Sequence, residues 1–177
     1  MQDFRALTVT GSGPLRVLVS DCHASAAFDA RRQAGTPPAY HPFKAIWDTG
    51  ATASVITQAV IDACSLKPTG MVRVHGVHGA ELAETFLANV GLPNGVAFPS
   101  VPVTRGKLAG ADILIGMDII TTGDFAITNV GRKTVFSFRI PSIETIDYVR
   151  EAAQLSKAGN KGNPFYRALL SKKGHRR

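Results

Sequence analysis

The sequence predicts an all-β domain with short helices, followed by a helical C-terminal segment. Three observations lead there. Short stretches alternate apolar and polar side chains, as in Leu15-Arg16-Val17-Leu18-Val19, which is the period of a half-buried strand. Two pairs of such stretches flank glycine-bearing turns, 71–75 with 81–90 and 124–130 with 134–140, and so read as hairpins. Ile113-Leu114-Ile115 is a continuous apolar run closed by Gly116, as a strand buried on both faces would be.

The elements follow in order. After the strand at 15–19, residues 21–42 are rich in Ala, Arg and Pro. Pro37, Pro38 and Pro42 oppose a helix there, so this stretch reads as a long excursion with at most a helical turn near 25–33. Residues 43–47 form a short apolar run ending at Asp48. Val60, Ile61 and Cys64 recur at helical spacing behind Thr57, which predicts a helix over 57–66 with Thr57 as its N-cap. Pro93-Asn94-Gly95 marks a turn into a strand at 96–103. Beyond Pro141, Ile143, Ile146, Val149 and Ala153 predict an amphipathic helix over 143–157. The expected division is therefore a β domain over 1–142, with an insertion at about 21–42, and a helix with a basic tail over 143–177.

Charge supports that division. Of the 177 residues, 20 are Lys or Arg and 13 are Asp or Glu, a net of +7. Residues 1–149 are neutral overall, and the whole excess falls in 150–177. A basic groove for nucleic acid along the β domain is excluded, because that part has no surplus charge to spread. The tail reads first as a solvated terminus, although an anionic partner could use it. No stretch reaches the roughly 18–20 apolar residues needed to span a bilayer. No basic region precedes an apolar run near the N-terminus, and Cys22 and Cys64 are the only cysteines. A cytoplasmic setting with both thiols reduced is the expectation.

The chemistry concentrates at Asp48-Thr49-Gly50-Ala51, which follows an apolar strand. Taken alone, the tripeptide Asp-Thr-Gly is no more than a strand ending in a turn. Two features stand in order behind it. The first is the glycine-bearing hairpin tip His75-Gly76-Val77-His78-Gly79. The second is the apolar strand ending in Ile115-Gly116, followed by the short helical pattern Met117-Asp118-Ile119-Ile120.

This ordered set resembles the retropepsin-like aspartic proteases over roughly residues 14–140. The resemblance implies a closed β-barrel of the acid-protease type and a peptide hydrolase working as a homodimer. It implies Asp48 as the catalytic residue and Thr49 bonding across to the partner's loop. Gly50 would let the backbone pass close to the water site, and Ala51 would line the floor near the substrate. Residues 75–79 would form a flap over the peptide or protein substrate, and Ile115 and Gly116 would pack the base of the loop. No metal or cofactor is implied. The sequence departs from the family at Trp47, which is bulkier than the usual residue before the Asp, at the 21–42 insertion, at Thr52-Ala53 and at His78.

The chain supplies only one Asp-Thr-Gly, so a pair of carboxylates requires two chains. A silent dimer that binds peptides without cutting them is the alternative from another class. A β-barrel in which Asp48 merely ends a strand is a third reading. Other signals carry less. His75 and His78 are three apart in a hairpin and so face opposite sides, which speaks against a metal site. Asp21-Cys22-His23 reads as loop, not as a thiol nucleophile. Gly11-Ser12-Gly13 reads as a turn without a phosphate-binding helix.

Overall fold

In a computed structural model, residues 3–28, 34–76 and 79–157 are described, and the chain divides into one unit ending at Ile143 and a second beginning at Glu144. The first unit is almost all β, as the patterning predicts. It contains β1 (Arg5–Thr10), β2 (Leu18–Ala26), β3 (His41–Trp47), β4 (Val55–Ile56) and β5 (Gly70–Gly76). These are followed by β6 (Gly79–Gly91), β7 (Ala97–Arg105), β8 (Ile113–Ile115), β9 (Asp124–Thr128) and β10 (Val135–Ile140). Two short helices interrupt them, α1 (Gln58–Ala63) and α2 (Met117–Ile120).

Pairing organises the strands into two sheets. Seven strands run in the order β2-β3-β8-β4-β7-β6-β5, and a further β2–β6 pairing returns to the start. The circuit closes through six strands and leaves β5 outside it. A separate three-stranded sheet has the order β1-β10-β9. The expected barrel is thus present as a closed pairing circuit with a second sheet beside it, not as one continuous barrel. The fused arrangement follows from β6, a 13-residue strand with three partners in turn. Its start pairs with β5, its middle with β7, and its end with both β7 and β2. Residues 79–84 of β6 pair with β5 alone, so the β5–β6 hairpin projects from the circuit.

Several expected boundaries move. The strand predicted at 15–19 begins only at Leu18. It continues through residues read as an excursion, to Ala26. Small side chains explain the difference. Ala24 lies where β2 is flanked by β3 and β6 at once, Ser25 and Ala26 continue against β6, and Ala24 and Ser25 are fully buried. An Ala-rich composition therefore marks close approach of strands here, not loop. Residues 25–26 are strand in place of the expected helical turn, and 29–33 lie outside the described residues.

β1, which received no sequence assignment, is the outer strand opposite β9, with Leu7 paired to Phe138. The helix predicted over 57–66 spans only Gln58–Ala63. Thr57 occupies the N-cap position, yet its hydroxyl makes no capping bond and is buried without a partner. The C-terminal helix, α3 (Tyr148–Lys157), starts five residues later than the pattern suggests. Asp147 sets that start, because its Oδ1 accepts the N–H groups of Val149 and Arg150 at 3.0 and 3.2 Å.

Trp47, the last residue of β3, joins the two sheets. Its indole stacks on Phe125 at 5.5 Å and meets Phe136 and Phe138 at a tilt, at 6.0 and 5.1 Å. Its Nε1–H donates to Ser20 Oγ at 2.9 Å, so the one polar atom of the ring is satisfied inside the core. The bulk noted as a departure thus fills the space between the circuit and the β1-β10-β9 sheet. Trp47→Ala should lower unfolding free energy in urea by about 3–5 kcal/mol. Trp47→Phe should cost less, about 1–2 kcal/mol, chiefly through the unpartnered Ser20 hydroxyl.

Asp124 holds the end of the first unit. It accepts from Ser142 Oγ at 2.6 Å, from the Ile143 N–H at 3.0 Å and from Arg139 Nε at 3.1 Å, and Arg139 Nη2 also reaches it. The Ser142 hydroxyl first, then the Ile143 amide and the Arg139 guanidinium, hold this carboxyl far below its ordinary range. A depressed folded value stabilises the fold above the unfolded pKa of about 3.9 and loses that contribution as pH falls. Asp124→Asn should therefore melt below wild type at neutral pH, with the gap narrowing as the pH drops below about 4.

Candidate active site

The site begins where β3 ends. β3 and β8 run parallel, with Trp47 opposite Ile115, and the Asp48 N–H continues the ladder by donating to Ile115 O at 3.0 Å. The chain then turns. Asp48 Oδ1 accepts the Gly50 N–H at 2.8 Å, and the Ala51 N–H donates to Asp48 O at 3.3 Å. The first bond fixes the carboxylate over its own loop, leaving Oδ2 for other partners. A Cβ on residue 50 would stand 3.2 Å from Asp48 Oδ1, so glycine here keeps the space beside the carboxylate clear. Asp48 is half-buried and Thr49 is exposed, and the structure gives Thr49 no hydrogen bond among the described residues.

The loop lies directly on the segment after β8. A Cβ on Gly116 would come within 2.7 Å of Ala53 C and 2.8 Å of Ala53 O, distances no side chain tolerates. Hydrogen bonds then tie the two segments together. The Met117 N–H donates to Ala51 O at 2.8 Å, and the Gly116 N–H donates to Ser54 Oγ at 3.1 Å. Ser54 in turn donates its hydroxyl to Asp118 Oδ1 at 2.8 Å and its N–H to Asp118 Oδ2 at 3.0 Å. Ser54 is fully buried, so each of these groups would be costly to leave unpaired.

Ile115 and Gly116 thus pack and bond the base of the Asp48 loop. Ser54 and Asp118 were not singled out from sequence, because a serine six residues past an aspartate carries no signal until the loop folds back. The spacing that brings them together is set by Gly116, which lets the backbones touch.

The hairpin residues lie elsewhere. His75 and Gly76 end β5, Gly79 begins β6 with φ +115°, and Gly76 pairs with Gly79 at the last described rung. Val77 and His78 lie outside the described residues. No hydrogen bond joins the hairpin to the Asp48 loop among the described residues. Its apolar side chains are nonetheless open to solvent, Met71 at 59% and Leu82 at 67% exposure.

A groove of about 430 Å³ opens beside Asp48 and Thr49. Residues 15–18 line it with Ile46 and Trp47, and Ile127, Asn129 and Thr134 complete it. Among the described residues, no group of three or more His, Cys, Asp or Glu side chains could hold a metal ion. Cys22 does not serve as a nucleophile. It faces inward from β2, and burial above all, with Asp112 and Asp21 adding, pushes its thiol up to about 12. Asp21-Cys22-His23 is strand, not the loop expected, and alternation turns His23 to the opposite face. No described helix is long and apolar enough to cross a membrane.

A single carboxylate can accept a proton or donate one, but not both at once. The arrangement therefore offers half of an acid–base pair, held rigidly at the end of a buried strand and open on one side. Residues 39–122 match the family described as "gag-polyprotein putative aspartyl protease". Among solved structures, a retropepsin-like aspartic protease from Rickettsia conorii is similar at 11% identity and a TM-score of 0.45. That alignment covers 78% of this chain and 97% of the other. No curated protein matches the sequence.

The ties beneath the loop predict a sharp local contrast. Ser54→Ala removes the hydroxyl shared by Gly116 and Asp118 and should cost about 1–3 kcal/mol in chemical denaturation. Thr52→Ala, on the exposed side of the same loop, should change stability by no more than about 0.5 kcal/mol.

Proposed function

We propose, from the match of residues 39–122 to the family described as gag-polyprotein putative aspartyl protease, that this protein is an aspartic endopeptidase of the retropepsin-like kind assembled from two copies of the chain. The observation that carries the reading is the Asp48 carboxylate, fixed by the Gly50 N–H over a loop seated on Gly116, beside an open groove. Only one such aspartate exists per chain, so a dyad forms when Asp48 meets the partner's Asp48 across a two-fold axis.

The chemistry follows from like charges at close range. Two adjacent carboxylates resist double ionisation and hold one proton between them. The ionised member takes a proton from a water bound between them, and that water's oxygen attacks the peptide carbonyl carbon. The protonated member gives its proton to the carbonyl oxygen, forming a neutral tetrahedral diol. Collapse of the diol re-forms the carbonyl, breaks the C–N bond and passes a proton to the leaving nitrogen, which restores the shared-proton state.

Other residues support this in stated roles. Thr49, exposed and without a bond in its own chain among the described residues, is free to bond across the two-fold axis. Ala51 lies on the loop floor. The projecting β5–β6 hairpin, in the flap role that the family resemblance gives residues 75–79, covers the bound peptide and excludes bulk water. Its exposed apolar side chains gain contacts when substrate is present. The two-carboxylate reaction uses no metal or cofactor.

Asp48→Asn should reduce kcat/KM on a cleavable peptide by about a thousandfold or more. The decisive experiment mixes chains. Excess Asp48→Asn protein added to a fixed amount of wild type should poison activity, because mixed dimers carry one carboxylate. Undiminished cleavage in the mixture would show that each chain acts alone and would remove the dyad. Binding of peptides by wild type without any cleavage would favour the silent dimer.

A further inference from the structure

The groove beside Asp48 contains a second ionised group. Of its lining residues, only Asp48 and Arg16 ionise, and the others are aliphatic, aromatic, hydroxyl or amide side chains. Arg16 is exposed and makes no hydrogen bond or ion pair among the described residues. The basic side chains for which the structure shows partners engage nearby carboxylates: Arg5 with Asp3, Lys44 with Asp21, Arg105 with Glu84 and Arg139 with Asp124. Arg16 is thus a guanidinium on the groove wall with its five donors unassigned.

Its mounting is rigid on both sides. Before it, three backbone positions are bonded to the single buried residue Thr134. Gly11 N–H donates to Thr134 O at 2.8 Å, Thr134 N–H donates to Gly13 O at 3.1 Å, and Leu15 N–H donates to Thr134 Oγ1 at 2.8 Å. The Thr134 hydroxyl then donates to Asn129 Oδ1 at 2.6 Å, linking this segment to the opposite side of the groove. After Arg16, β2 begins at Leu18, paired with Trp47 next to Asp48 itself. Backbone held at residues 15 and 18 keeps Arg16 at the groove, while its side chain remains free to choose a partner. Preorganised backbone with an unpaired charge is what a selective subsite requires.

Resting on the endopeptidase reading, we propose that Arg16 determines specificity by selecting substrates with an acidic side chain close to the scissile bond. The planar guanidinium matches a carboxylate with two parallel hydrogen bonds, a geometry that a neutral amide cannot reproduce. Leu15, Val17 and Ile127 beside it are apolar, and Arg16 is the one cation of the groove lining, so an acidic side chain entering the groove has a single charged partner there. A basic substrate side chain at the same position would meet an unpaired like charge and be rejected.

The test uses peptides that differ only by Glu or Gln at each position flanking the cleaved bond. At about pH 6, where the glutamate is ionised, wild type should prefer Glu at one position by about tenfold in kcat/KM. At about pH 3 the glutamate is neutral and the preference should vanish, although Arg16 stays charged. Arg16→Gln should bring the Glu/Gln ratio to about one at both pH values, and Arg16→Glu should turn the preference toward Lys. Anisotropy binding of the same peptide pair to the Asp48→Asn protein reads the ratio without turnover. It therefore tests Arg16 even if no peptide is cut, which would itself overturn the endopeptidase reading. A wild-type ratio near one, or a ratio that Arg16→Gln leaves unchanged, would overturn the proposal. So would an Arg16→Gln variant whose only change is a loss of dimer mass, because Arg16 would then serve the partner chain.

Discussion

The hydrogen bond from the Asp48 N–H to Ile115 O is the rung on which the site depends. It is the last link of the parallel β3–β8 ladder and the first bond of the turn that carries the carboxylate. A side chain placed on a free loop would sample many positions and pay for each alignment in entropy. Here the position is inherited from two buried strands, with Ala45, Trp47, Ile113 and Ile115 all inside the core. The rung in turn requires Gly116, since any Cβ there would push the Asp48 loop off the strand that supports it.

Support for the loop is layered. Directly beneath lie Gly116 and buried Ser54, which bonds to the exposed Asp118 carboxylate, a polar cluster whose donors and acceptors satisfy one another. Further in, Trp47 ties β3 to the aromatic residues of the second sheet. The closed pairing circuit keeps the strands in fixed register, because a slip in one would have to be carried round all six. The projecting hairpin is the opposite case. It pairs only with itself beyond Glu84 and leaves Met71 and Leu82 in solvent, so it has little to hold it in one place. A rigid loop beside a loosely held hairpin is the contrast that the proposed endopeptidase would need, to admit a polypeptide and then exclude water.

Much of this was legible in the residues, for identifiable reasons. Asp48-Thr49-Gly50, the Ile115-Gly116 strand end and the β5–β6 hairpin each combine local periodicity with glycine at a turn, and both signals are short-range. What escaped was set by tertiary contact. β2 continues through Ala24 and Ser25 because β6 pairs with it there and β3 reaches as far as Ala24, and small residues look like loop when read alone. Thr57 looks like a helix cap, yet its hydroxyl is buried and unbonded. Ser54 and Asp118 become partners only after the loop folds onto α2, a pairing 64 residues apart in sequence.

The charge distribution takes on a different meaning in this light. The excess of +7 lies in 150–177, so the β unit is nearly neutral as a whole. Neutrality on average still permits selectivity at one point. Within the groove the balance is one carboxylate and one guanidinium, Asp48 and Arg16. If both engaged each other, the carboxylate would be tied up and its proton chemistry suppressed. The structure instead occupies Asp48 Oδ1 with the Gly50 N–H and leaves Arg16 without a partner among the described residues. The two ionised groups are held apart by separate anchors, one on Ile115 and the other on Thr134. On the proposed reading, separation of that kind would let one group do proton chemistry while the other reads charge, and neither role would cost the other its side chain.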